Sequence, residues 1–172
     1  MTLPSLLPDP SANTEQSRLE AAEAAVRAYC GWHIAPVITE EMILDGSGSC
    51  TLQLPSLMVK EITAAVVDGV TLDAQTLEWS KSGFVRATGR WTNRLRGVRL
   101  TVKHGFDAAP DVVEIIRSVA ARAGSSPAGI TREQAGQVSI TYATVAPGVA
   151  GGTVLMEHER AMLEPYRLTG RL

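Results

Sequence analysis

Aromatic side chains are scarce in this chain of 172 residues, at 5% of the total. Its core must therefore rest on Val, Leu, Ile and many Ala. Cysteine is scarcer still, and Cys30 and Cys50 stand alone. They form no CxxC pair and have no histidine beside them. At this length a disulfide staple is unnecessary, and the pair reads as two buried thiols in a reducing compartment. Excess charge is missing too. A formal net charge of −2 gives no global field towards nucleic acid or anionic membranes. No apolar run approaches the ~18 residues of a membrane span. The opening MTLPSLLPDP lacks a basic segment and is broken by prolines, so a signal peptide is not expected and the protein reads as intracellular when made. No repeat is visible, which excludes a solenoid.

Recognisable reaction chemistry is also lacking. His33, His104 and His158 share no metal-ligand spacing. Glu157, His158 and Glu159 are consecutive, so on a helix they point in different directions. There is no GxSxG elbow, no Walker A loop and no GxGxxG fingerprint. Cys30 falls at the end of a predicted helix, where the dipole opposes a thiolate, and reads as core. No catalytic residue, metal or cofactor is expected.

What is present is an α+β pattern. Residues 1–13 carry three prolines and read as an extended arm. Leu19, Ala22, Val26 and Tyr29 recur at helical steps, predicting a helix over 14–30 stopped by Gly31. The period then falls to two. Strands are predicted at 37–44, 50–54, 58–67, 70–72, 83–87 and 98–103, with Asp68-Gly69 as a hairpin turn. A second helix starts at Pro110, with Asp107 as a nearby cap candidate. Its expected apolar face is Val112, Val113, Ile116, Val119, Ala120 and Ala123, ending at Gly124. One more strand is expected at 137–142. The expected architecture is a small helical core, an antiparallel sheet or hairpin region, and a tethered C-terminal helix. Its divisions are an arm (1–13), an α+β domain (14–146), and a glycine-rich hinge with a closing helix (147–172).

Two segments stand out as contact candidates. Between Lys81 and Lys103 lie Arg86, Arg90, Arg94, Arg96 and Arg99, with no acidic residue among them. They form either a solvated strand pair or a basic loop facing a polyanion or an acidic protein, and Trp91 within it could stack or pack. With no sequence-reading motif, DNA contact there would be to phosphates alone. The second segment is the closing helix, predicted over 153–167 with Thr153 as its cap. Helices of ~12–15 residues are marginal alone in water. Leu155, Met156, Met162, Leu163 and Tyr166 therefore need a groove, either on their own domain or on another subunit. The expectation adopted is another subunit, with the segment dispensable for folding.

Several stretches, in order, resemble the head–tail connector adaptor family of long-tailed bacteriophages, particularly those of actinobacterial hosts. They are residues 19–33 (LEAAEAAVRAYCGWH), 59–72 (VKEITAAVVDGVTL), 98–119 (VRLTVKHGFDAAPDVVEIIRSV), 127–142 (PAGITREQAGQVSITY) and 159–167 (ERAMLEPYR). The resemblance implies a structural virion protein of the neck rather than an enzyme. Such adaptors form a ring, usually of twelve copies, beneath the portal protein, extend the channel for packaged DNA, and present a surface to stopper or tail proteins. Partners so implied are the portal, stopper or tail proteins, further copies of the chain, and DNA without sequence specificity, but no membrane. The implied location is the virion neck, after assembly in the host cytoplasm. The C-terminal segment commonly engages the portal, which assigns that role to Leu155, Met156, Met162, Leu163, Tyr166 and Arg167. The alternatives are a tail-completion or tail-terminator protein, and a phosphate-contacting DNA-binding module.

Overall fold

Val98, Leu100, Val102 and His104 alternate with Arg99, Thr101 and Lys103, so an extended chain turns the first set to one face. In the computed structural model this stretch is the central strand of the larger sheet, and its first set is buried. The structure describes residues 15–125, 132–135, 138–141, 144–146, 149–150 and 152–169. The expected arm and hinge positions 147, 148 and 151 lie outside them.

Among the described residues, the order is α1 (Glu15–Cys30), β1 (Ile38–Leu44), β2 (Thr51–Gln53), β3 (Val59–Val67), β4 (Val70–Leu72), β5 (Glu78–Trp79), β6 (Phe84–Arg86) and β7 (Val98–His104). Then follow α2 (Pro110–Ser125), β8 (Arg132–Ala135), β9 (Val138–Thr141), β10 (Thr144–Ala146), β11 (Val149–Ala150) and α3 (Glu157–Leu163). The fold is α+β, and every strand pairing is antiparallel. Strands β5, β8, β10 and β11 were not expected. Each is four residues or fewer, too short for periodicity to register.

The chain divides into two compact units, Met1–Tyr29 with Pro110–Leu163, and Cys30–Ala109 with Glu164–Leu172. The units follow which segments pack together, a long-range property that composition along the chain does not carry.

In the first unit, Ala22 and Val26 of α1 and Val112, Ile115, Val119 and Ala120 of α2 are buried. The expected face of α2 is shifted in one respect. Ile115 belongs to it, whereas Val113 is exposed. Pro110 is the first helical residue, where its missing N–H costs nothing. The expected cap Asp107 is otherwise engaged, its carboxylate accepting from Lys60 Nζ at 2.6 and 2.7 Å.

The second unit holds the four-stranded sheet β1-β7-β3-β4 and the three-stranded sheet β2-β6-β5. Their shared core includes Leu54, Val85, Trp91, Val98, Leu100 and Val102. Asp68 and Gly69 both take positive φ, 51° and 83°, as a two-residue turn matched to strand twist requires. Cys30 is buried as expected, but Cys50 is exposed, because it precedes β2 in a surface loop rather than pointing into the sheet.

Candidate docking surfaces

The closing segment begins as α3. Its first turn is fastened by Glu159, whose carboxylate accepts from the Met156 amide at 2.7 Å. A Glu at the third helical position reaching back to the preceding amide is half of a capping box. Thr153 therefore does not start this helix. The same carboxylate accepts from Arg122 of α2 at 2.8 and 2.9 Å, while Arg122 also donates to the Val154 carbonyl at 2.9 Å. Burial alone would raise the Glu159 carboxyl. The Arg122 and Met156 hydrogen bonds, with the Arg122 and His158 charges, outweigh that and hold it below its usual value.

Leu155 and Leu163 are buried in their own chain. The groove that the sequence seemed to require from another polypeptide is thus supplied internally for these two side chains. Met156 is half-buried, while Met162, 53% exposed, faces solvent. Two of its apolar side chains therefore pack within this chain.

Residues 164–169 belong to the second unit. A 3-10 turn at Glu164–Tyr166 follows α3, where the ring of Pro165 is incompatible with continued α-helix. Tyr166 meets Phe106 edge-on at 5.5 Å, and its carbonyl accepts from Trp32 Nε1 at 2.7 Å. The Leu168 amide donates to the Cys30 carbonyl at 2.8 Å, filling an acceptor that the end of α1 leaves open. Burial, assisted by the nearby Glu164 charge and opposed by Arg167, pushes the Cys30 thiol up to about 11. Tyr166 is half-buried, and Arg167 is exposed.

The basic residues lie on β6, β7 and the loop between them. Two are close to acids of the same unit, Arg86 to Glu78 at 4.0 Å and Arg94 to Asp68 at 3.8 Å. Arg90 reaches the Gly48 carbonyl at 3.5 Å, and Arg99 projects from the solvent face of β7. Trp91 is buried in the core, so it packs rather than stacks on a ligand. The loop is laced to residues 45–49: Gly46 donates to the Arg94 carbonyl at 2.9 Å, Gly48 to that of Thr92 at 3.0 Å, and Trp91 to that of Ser49 at 2.8 Å. Any Cβ at Gly46 would stand 1.9 Å from the Thr92 carbonyl oxygen, so only glycine allows this approach. Arg96 takes a left-handed φ of 55°, costing roughly 1–2 kcal/mol for an L-residue, and the Asp45 carboxylate accepts its amide at 2.6 Å. Leu95 between them is 80% exposed.

One constellation was not legible from the sequence. His104 Nε2 lies 2.9 Å from Glu40 Oε1 and Nδ1 lies 3.1 Å from Ser56 Oγ. The ionised carboxylate only accepts, so Nε2 carries the proton, Nδ1 accepts from the Ser56 hydroxyl, and that oxygen accepts from the Met58 amide at 3.2 Å. The order Ser–His–Glu imitates a hydrolase triad, but its accessibility is inverted. Ser56 is wholly buried and Glu40 is the member that meets solvent. No substrate carbonyl can reach the hydroxyl, and the chain of bonds pins β1 and β7 to the loop before β3. Desolvation lowers the His104 pKa, against the raising influence of Glu40.

The fold built from these pieces is that of neck chains from a virion-like particle. The chain is similar to one in the neck of the native gene transfer agent particle computed with C12 symmetry, with TM-score 0.61 and 16% identity over 92% of this chain and 84% of that one. It is also similar to one in the neck of the empty particle computed with C6 symmetry, with TM-score 0.55 and 18% identity over 92% and 79% of the two chains. A chain of the native gene transfer agent virion gives TM-score 0.56 and 16% identity over 96% and 86%. What is shared at such identity is the fold. The sequence matches no protein-family model and no curated protein.

Proposed function

We propose that the chain is a structural subunit of a tailed-virion neck, an adaptor that forms a ring joining the portal to the stopper or tail and continuing the DNA channel. The observation that carries this reading is the likeness to a neck chain over 92% of the sequence, arising independently of the ordered motifs in 19–33, 59–72, 98–119, 127–142 and 159–167. That neck was computed with C12 symmetry, which supports a ring of twelve copies here. The inverted accessibility of Ser56, His104 and Glu40 supports a structural role over a catalytic one.

On the closing segment Leu155 and Leu163 are committed to the interior, so in the first unit a portal would meet Met162, with the half-buried Met156, and in the second unit Arg167, with the half-buried Tyr166. Arg86, Arg90 and Arg99 are available to an acidic neighbour or to phosphates.

Cryo-electron microscopy of producing particles with and without the gene tests the reading. The expected result is a ring of this chain between head and tail, and in its absence filled or leaking heads beside separate finished tails. Tails of abnormal length would instead assign a terminator, and normal particles would remove the neck reading.

A further inference from the structure

We propose that residues 89–97, within the loop between β6 and β7, form a rigid knob on which Leu95 enters an apolar, carboxylate-rimmed pocket of a different protein. An exposed leucine alone needs no explanation, since much of any folded surface is apolar. Here the backbone that presents it does. Arg96, the next residue, is held in the left-handed region at φ 55°. Such conformations persist where the surroundings over-determine them, and they gather at binding sites. The surroundings do so here. The Asp45 carboxylate takes the Arg96 amide at 2.6 Å. The Arg94 carbonyl takes the amides of Gly46 at 2.9 Å and Gly97 at 3.3 Å. The Gly97 carbonyl accepts from the Asp68 amide at 2.8 Å, and a Cβ on Gly97 would come within 2.9 Å of Asp68 Oδ1. Below the loop Trp91 is sunk into the core. Local strain at Arg96 and the glycine-only approach at Gly46 thus hold the loop in which Leu95 is 80% exposed.

Charge indicates what receives it. Arg94 and Arg96 flank Leu95 directly, and Arg90 and Arg99 lie on either side along the chain. An apolar socket ringed by Asp and Glu complements both features. A DNA backbone complements only the cations. Preorganisation lowers the ordering cost of such a contact, and an anchor in a desolvated pocket within a polar rim is where binding energy concentrates. The inference takes its source of partners from the neck reading, and its test is separable from that reading.

The test places the photo-crosslinking residue p-benzoylphenylalanine at position 95 of the full chain in producing cells, irradiated during assembly, with adducts sequenced by mass spectrometry. The expected result is one adduct to another protein, on a peptide rich in Asp or Glu. It should fall at least tenfold when Arg94→Glu and Arg96→Glu are added, and be at least tenfold weaker from a probe at the exposed Val70. Leu95→Asp should leave the melting temperature unchanged and lower the yield of assembled particles at least tenfold. Adducts to DNA, adducts only to another copy of this chain, adducts indifferent to the arginines, or none at all would each overturn the inference. Whether the protein is found in purified particles is scored separately, and its absence there counts against the neck reading alone.

Discussion

Arg122 and Glu159 meet in a two-pronged ion pair, at 2.8 and 2.9 Å, with both side chains largely withdrawn from solvent. That pair ties the last helix to α2 across 37 positions of sequence. It turns a segment that looked tethered and outward-reaching into part of the folded interior.

Glu159→Ala or Arg122→Ala should each destabilise the protein by about 3–5 kcal/mol, the usual result of leaving one buried charge without its partner. The double variant with Arg122→Met and Glu159→Leu should recover much of that loss, because neither charge is stranded. Denaturant titration of the four proteins checks this, and strict additivity of the two single losses would contradict it.

Deleting residues 153–172 should lower the melting temperature sharply or yield insoluble protein. The deletion removes Leu155 and Leu163 from the interior, Tyr166 from Phe106, and the Leu168 amide from the Cys30 carbonyl. Leu163→Ala alone should cost about 2–5 kcal/mol. By contrast Met162→Asp should leave stability within about 0.5 kcal/mol, as surface changes do. If it weakens portal binding, the outward side of the segment is the docking side.

Two groups make stability fall on the acid side. The Glu159 carboxyl sits below its ordinary value of 4.5, so its contribution is complete above that value and disappears as pH drops through the lowered folded one. The His104 imidazole is lowered from 6.5, so folding holds it neutral, and its contribution fades as pH falls below 6.5. Melting temperatures between about pH 3 and pH 8 should therefore decline in two steps. Glu159→Gln should flatten the lower step and His104→Gln the upper. An unchanged upper step in His104→Gln would place that titration elsewhere.

The two thiols should differ in reactivity. Only thiolate attacks a disulfide reagent, and Cys30 is buried with its pKa pushed to about 11, whereas Cys50 is exposed. At about pH 8, below the usual thiol value of ~8.5, Ellman's reagent should titrate one thiol rapidly in the folded protein and the second only on unfolding. Cys50→Ser should abolish the fast phase.

Ser56→Ala should cost about 1–3 kcal/mol, because it strands the Met58 amide and His104 Nδ1 inside the protein. Hydrogen–deuterium exchange should then rise at Met58 and along β1.

Local rules made much of this fold legible. Helix spacing and Gly31 bounded α1, Pro110 opened α2, and Asp68-Gly69 fixed the β3–β4 hairpin, each from residues a few positions apart. The strand-rich middle was legible for the same reason, though its division into two sheets was not, since pairing partners lie tens of residues apart. The basic run was legible as charge. Its interleaving with Glu78, Asp68 and Asp45 was not, because those acids arrive from other segments. The exposure of Leu95 was equally hidden, for nothing in its neighbours' identities says which way the backbone turns at Arg96. The pairing of Arg122 with Glu159 was hidden as well, because the two lie 37 positions apart.

The sequence by itself determined the α+β class, the ends of α1, the start of α2 and the tight turn, because capping, glycine conformation and hydrophobic period act over one or two turns of chain. Only the tertiary structure decided which faces remain outward. The closing helix illustrates this: its apolar side chains demanded shelter, and the sequence could not say whose. Folding brought α2 within reach, and burial of Leu155 and Leu163 with a matched ion pair satisfied that demand inside one chain. Burial depends on all the segments that converge on a point, and that convergence is not written in any one of them.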